Sequence, residues 1–210
     1  MIASTKTSQS KESRGFTLVE MLVVIGMIGA LAGISFPVYK SIQKKVEKQQ
    51  IQMMYTSIER AVDNFETEYN YMPHCEAQYP AGDSQYYWLN SMSSQFLGIL
   101  MGLESDKNFK KIEFLEIEEA EGSGPGSTTS KGPHGYRNGV KISGAYATLY
   151  SPNGMHYAYR LDLNGDGEIA NCRIGWNGGI TNPMVQGKRI ALHTVSGVIW
   201  GKDYFVTNFD

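Results

Sequence analysis

The sequence predicts an α+β protein: a long N-terminal α-helix, membrane-spanning in its first half, packed on a small antiparallel β-sheet with long loops. Three observations lead there. An apolar run fills residues 16–36 and contains one charge, Glu20. Apolar residues then recur at helical spacing as far as Tyr69. After residue 135 the chain turns to short strand-like runs. With 210 residues, 41% of them apolar and 19% charged, it is long enough for one domain with a real core.

The run FTLVEMLVVIGMIGALAGISF has 21 residues. At about 1.5 Å per residue it spans roughly 31 Å as a helix, the thickness of a bilayer's hydrocarbon layer. A helix apolar on every face needs a larger protein around it to be an ordinary core helix. A secretory signal explains the basic leader before the run (Lys6, Lys11 and Arg14) and offers Ala30-Leu31-Ala32 as a small-residue cleavage site. Against it stand the length of the run and the carboxylate inside it. A cut after Gly15 accounts for that carboxylate. Phe16 then begins the chain with a charged α-amine, and Glu20 lies about one helical turn away. A charge in an apolar layer is costly and takes a partner. The new amine is the obvious one, in the same chain or on a neighbour.

The string Gly15-Phe16-Thr17-Leu18-Val19-Glu20 resembles the processing motif of type IV prepilins and type II secretion pseudopilins. The resemblance implies that a membrane prepilin peptidase cuts after Gly15, that Phe16 is N-methylated, and that Glu20 directs assembly. Pro37 closes the run after Gly26, Gly29 and Gly33, as a proline commonly does in these helices. Proline removes a helix hydrogen bond and glycine weakens the helix, so this stretch is expected to kink or melt when subunits pack. The implied organisation is a leader over 1–15, a transmembrane and filament-core helix over 16–37, and a periplasmic domain over 38–210. The implied partners are copies of the chain and other pseudopilins, the prepilin peptidase, an inner-membrane assembly platform, and lipid before assembly. Lys40, Lys44, Lys45 and Lys48 outnumber the basic residues of the leader, so the Lys and Arg count leans towards the reverse orientation.

Ile51, Tyr55, Ile58, Val62, Phe65 and Tyr69 mark one apolar face of a continuing helix, with Glu47, Lys48, Glu59, Arg60, Glu66 and Glu68 opposite. The helix should end near Asn70, before Met72-Pro73. Residues 73–86 read as an irregular loop, 88–102 as a short helix, 109–118 as a strand or helix end, and 122–135 as a loop. Strand-like runs follow at 140–150, 155–163, 189–195 and 197–200. Val62–Phe65 with Tyr71–Pro73, Tyr157–Asp162 and Trp200–Asp203 resemble stretches of the major, G-like pseudopilins.

Residues 162–169 read D-x-N-x-D-G-x-I. Asp162, Asn164 and Asp166, with the backbone carbonyl of Glu168, are candidate calcium ligands, and Gly167 permits the sharp turn. The closing glutamate of an EF-hand is missing, since Arg173 stands there. Asn171 or Asp203 are candidates to complete the shell. A polar hairpin turn without any ion is the competing reading, and the pseudopilin resemblance favours Ca2+. Cys75 and Cys172 are the two cysteines, either a disulfide or unrelated thiols. His74, His134, His156 and His193 form no ligand motif and read as surface or loop residues.

Net charge is −2, which gives no electrostatic footprint for nucleic acid. No nucleophile elbow, phosphate loop or dinucleotide glycine pattern occurs, and the chain is not expected to be an enzyme. The leading expectation is a structural subunit of a type II secretion pseudopilus. A type IV pilus pilin, major or minor, is the near alternative. An exported calcium-binding protein whose apolar run is a signal or anchor is the distant one.

Overall fold

The computed structural model describes residues 15–74, 87–88, 95–122, 135–173, 181–199 and 202–208. For 34–38, 40, 87–88, 170–173, 181–183, 195–199 and 202–205 the description is of the backbone alone. The chain divides into two compact units, Met1–Lys44 and Lys45–Asp210. Helix α1 runs from Leu18 to Tyr69.

In the first unit every residue from Gly15 to Gly33 is exposed, including Leu18, Val19, Leu22, Ile25, Ile28 and Leu31. The backbone stays helical through Gly33 and Pro37, so the glycines and the proline do not break α1 in the single chain. Among the described residues no helix is long and apolar enough to cross a membrane. The expected span covers 16–36, and its last three residues are described by backbone alone.

In the second unit α1 supplies one wall of the core. Ile51, Tyr55, Ile58, Val62, Phe65 and Tyr69 are all buried, as their spacing requires. Side chains of this size each contribute roughly 1.5–3 kcal/mol when taken out of water. The helix stops where expected. Asn70 has φ 62° and donates its amide to the Glu66 carbonyl at 2.7 Å, the left-handed ending that asparagine tolerates.

The facing layer is a four-stranded antiparallel sheet in the order β1-β6-β9-β10, with β1 Tyr87–Trp88, β6 Tyr157–Leu161, β9 Ile190–Ile199 and β10 Lys202–Thr207. Side chains alternate across it. Tyr157, Tyr159, Leu161, Ile190 and Leu192 join the helix in one core. Tyr55 meets Tyr157 edge to face at 5.7 Å between ring centres, and its hydroxyl donates to the Val206 carbonyl at 2.7 Å. Helix α2, Gln95–Leu100, adds Phe96, stacked on Tyr159 at 4.3 Å. On the opposite side of the sheet Ala191 packs with Ile169 and Val185, one from each strand of the ribbon β7 Glu168–Arg173 and β8 Thr181–Gln186. Two smaller ribbons complete the β structure among the described residues: β2 Glu121–Gly122 with β3 Tyr136–Arg137, and β4 Gly139–Ser143 with β5 Tyr146–Tyr150.

Several expectations change here. The single small sheet is a four-stranded sheet with three two-stranded ribbons. Among the described residues of 88–102, Gln95–Leu100 is helical, while Trp88, with Tyr87, pairs with Ala158 and Tyr159 as a strand. The run 140–150 is a hairpin, and the expected runs 189–195 and 197–200 fall largely in one strand, Ile190–Ile199, with a bulge at Ser196, the position where the sequence suggested a break. Residues 109–118 form neither strand nor helix. Their place is set by buried Asn108: its Oδ1 accepts from Tyr69 and Ile112, and its Nδ2 donates to the carbonyls of Ile99 and Ile112. His156 and His193 are buried, not on the surface: the His156 ring packs on Tyr150 beside the Leu149 carbonyl, and His193 stands in β9 opposite Ala158. The expected loops over 73–86 and 122–135 lie for the most part outside the described residues.

Candidate functional site

Two places answer to the candidate residues. The first is the start of α1. Gly15, Phe16 and Thr17 precede the helix in irregular backbone, and Phe16 is 75% exposed. The Gly15–Phe16 bond therefore sits on accessible, non-helical chain, which is what a peptidase needs. Thr17 is the N-cap. Its carbonyl accepts from the Met21 amide at 3.3 Å, the first bond of the helix. Its hydroxyl accepts from the Glu20 amide at 3.2 Å, and the Glu20 carboxylate returns to the Thr17 amide at 2.8 Å and hydroxyl at 2.7 Å. This is a reciprocal capping box, with Thr17 at the cap and Glu20 three residues on. Glu20 thus has a local role besides its expected one. Thr17 was missed by the sequence reading, although T-x-x-E ahead of an apolar run is its signature. Pro37 lies within α1.

The second place is the loop between β6 and β7. Asp162, Asn164, Asp166 and Glu168 do come together in one turn. Gly165 and Gly167 take φ of 74° and 78°, angles that glycine adopts freely, so the chain reverses sharply here. The polar atoms are nonetheless engaged with each other. Asp162 is fully buried, and its two carboxylate oxygens accept from the amides of Gly165 at 2.8 Å and Gly167 at 3.1 Å. Asn164 accepts from the Asp166 amide at 3.0 Å and donates to the Asp166 carboxylate at 2.8 Å. Asp166 accepts from the Glu168 amide at 2.8 Å, and the Glu168 carboxylate accepts from Gln186 at 3.1 Å.

A residue that no local pattern announces completes this turn. Arg189 donates from Nη1 to Asp162 Oδ2 at 2.7 Å. Its other edge forks onto Glu66 of α1, with Nε to Oε2 at 2.9 Å and Nη2 to Oε1. Glu66 and, next, Asp162 raise the Arg189 guanidinium further above its ordinary range. Lys188 pairs with Glu59 at 2.8 Å. Glu59 and Glu66, expected on an outward polar face, are therefore half-buried partners of the β8–β9 turn.

Calcium seeks six to eight oxygen ligands. The side-chain oxygens of Asp162, Asn164 and Asp166 already accept hydrogen bonds, and a guanidinium stands against the central carboxylate. This arrangement does not fit a calcium ion. Among the described residues no group of three or more His, Cys, Asp or Glu side chains is arranged to hold a metal. Asp203 is described by backbone alone, as are Asn171 and Cys172. Cys75 and His134 lie outside the described residues, and with Cys75 the disulfide question.

Residues 10–36 match the prokaryotic N-terminal methylation motif. The match supports a type IV pilin-like leader, that of a prepilin-peptidase substrate. No curated protein and no solved structure matches the chain.

Proposed function

We infer that this chain is a structural subunit of a type II secretion pseudopilus. It is made as a precursor, cut after Gly15, methylated on Phe16 and polymerised through its N-terminal helix to support protein export. The observation that carries this reading is the combination at residues 15–33: an accessible scissile bond, a carboxylate in the first turn of α1, and apolar side chains exposed on every side of the helix. Such a surface is not stable in water and calls for lipid or for other helices. Before assembly the helix anchors the chain in the inner membrane as a single span, with the second unit in the periplasm. On assembly it moves into the filament core among copies of itself and other pseudopilins, drawn there by the assembly platform.

The methylated amine of one subunit pairs with Glu20 of another, while apolar surfaces make the lateral contacts. The work of extraction comes from a partner ATPase, and the chain itself is no enzyme. The preference for a pseudopilus over a type IV pilus rests on Val62–Phe65, Tyr71–Pro73, Tyr157–Asp162 and Trp200–Asp203; the 162–168 loop no longer adds to it. Blocking the cut tests the reading. A Gly15→Leu chain should stay in the membrane with its leader attached and give none of the cross-linked subunit ladder that the wild-type chain gives. Filaments built from the uncut chain would contradict it.

A further inference from the structure

The calcium-like turn contains a fixed positive charge of its own. We propose that the Arg189 guanidinium takes the place a divalent cation would hold at residues 162–168, so that the turn is closed by an internal cation and its stability does not depend on calcium.

The case begins with Asp162. A carboxylate taken out of water must be compensated. Asp162 is fully buried and receives three donors: the amides of Gly165 and Gly167 and Nη1 of Arg189. One of the three bears a full charge, and it lies 2.7 Å from Oδ2. The backbone holds it there. The Asp162 amide donates to the Arg189 carbonyl at 3.0 Å, and the Gly187 amide donates to the Gly167 carbonyl at 2.8 Å. The β6–β7 and β8–β9 turns are thus stitched together on both sides of the ion pair. The far edge of the guanidinium is committed to Glu66, so one planar group links the turn to α1.

A doubly charged ion at Asp162 would meet the guanidinium at ion-pair distance, where repulsion is strong. To admit the ion, Arg189 would have to leave Asp162 and strain its fork on Glu66. Asn164 and Asp166 would also have to give up each other. The D-x-N-x-D-G spelling therefore describes the turn's geometry, and the charge comes from a residue far along the chain.

The test uses the full chain in detergent micelles and follows thermal unfolding. A site filled at a hundred times its Kd would raise Tm by about 5–10 °C for a chain of this size. The proposal expects the wild-type Tm to be the same in EDTA and in millimolar calcium chloride; a rise of that order overturns it. Arg189→Met should lower Tm by about 6 °C or more, because it strands a buried carboxylate. Adding Asp162→Asn to Arg189→Met should recover much of that loss. Additive losses in the double variant would overturn the proposal. The calcium comparison on the wild-type chain needs no variant, so it decides even where a variant fails to fold.

Discussion

Glu20 folds back onto Thr17, its carboxylate 2.8 Å from the Thr17 amide and 2.7 Å from the Thr17 hydroxyl. The residue expected to dock subunits therefore also begins the helix that does the docking. The two roles are separable. Thr17→Val keeps the shape of the side chain and removes the cap, which costs helix starts about 1 kcal/mol. It should leave cleavage intact and lower filament yield in part. Glu20→Ala should leave membrane insertion and leader removal intact and abolish filaments. Immunoblots of leader removal beside the yield of cross-linked subunit ladders check both, and a normal ladder from Glu20→Ala would count against the docking role.

Gly98 in α2 faces the turn between β4 and β5 so closely that a methyl group would overlap the Ala145 carbonyl. Backbone, unlike a long side chain, has little room to give. Gly98→Ala should destabilise the second unit by about 2 kcal/mol or more, in the range of core overpacking. A chemical-denaturation midpoint equal to that of the wild type would show that α2 shifts freely.

Asn108 has no exposed surface and makes four hydrogen bonds to three residues, Tyr69, Ile99 and Ile112, tying the 101–115 segment to α1 and α2. Asn108→Ala removes both bonds to Ile112 and one each from the Ile99 carbonyl and the Tyr69 hydroxyl, which keep the amides of Gly102 and Lys110. A loss of about 2–4 kcal/mol is expected. Amide exchange should quicken over 101–115 before it does in β6 or β9.

His193 gives the second unit a pH dependence. Burial, and next the charge of Arg160, lower its pKa to about 4 from the ordinary 6.5. Between those values the unfolded chain binds a proton that the folded chain does not, so stability is lost as pH falls from 6.5 towards 4. The full effect is about 3 kcal/mol. Denaturation midpoints should fall between pH 7 and pH 5, and His193→Gln should flatten that part of the curve. Equal slopes in the two proteins would show that another group is responsible.

Much of this was legible in the sequence where one local period decided the outcome. The face from Ile51 to Tyr69 is buried as its spacing required, and α1 ends at Tyr69, next to the expected Asn70. Residues 109–118, expected as a strand or a helix end, are neither. Asn108, not a partner strand, satisfies the backbone there, and a side-chain hub leaves no period. Strands β7 and β8 were missed because they pair mainly with each other, and β8 contains Pro183, which cannot donate to a ladder. At the candidate sites, the residues around Gly15 and Glu20 announce themselves within six positions. Arg189 does not, because it reaches Asp162 across a strand pair and Glu66 on a helix far back in the chain.

The central claim is that the N-terminal segment becomes an assembly element by being cut. Intact-mass and N-terminal peptide spectrometry of the chain isolated from its own membrane tests it most directly. The account predicts a mature chain that begins at Phe16 with one added methyl group on its amine. A chain that begins at Gly33, or one that keeps Met1 through Gly15, would contradict it.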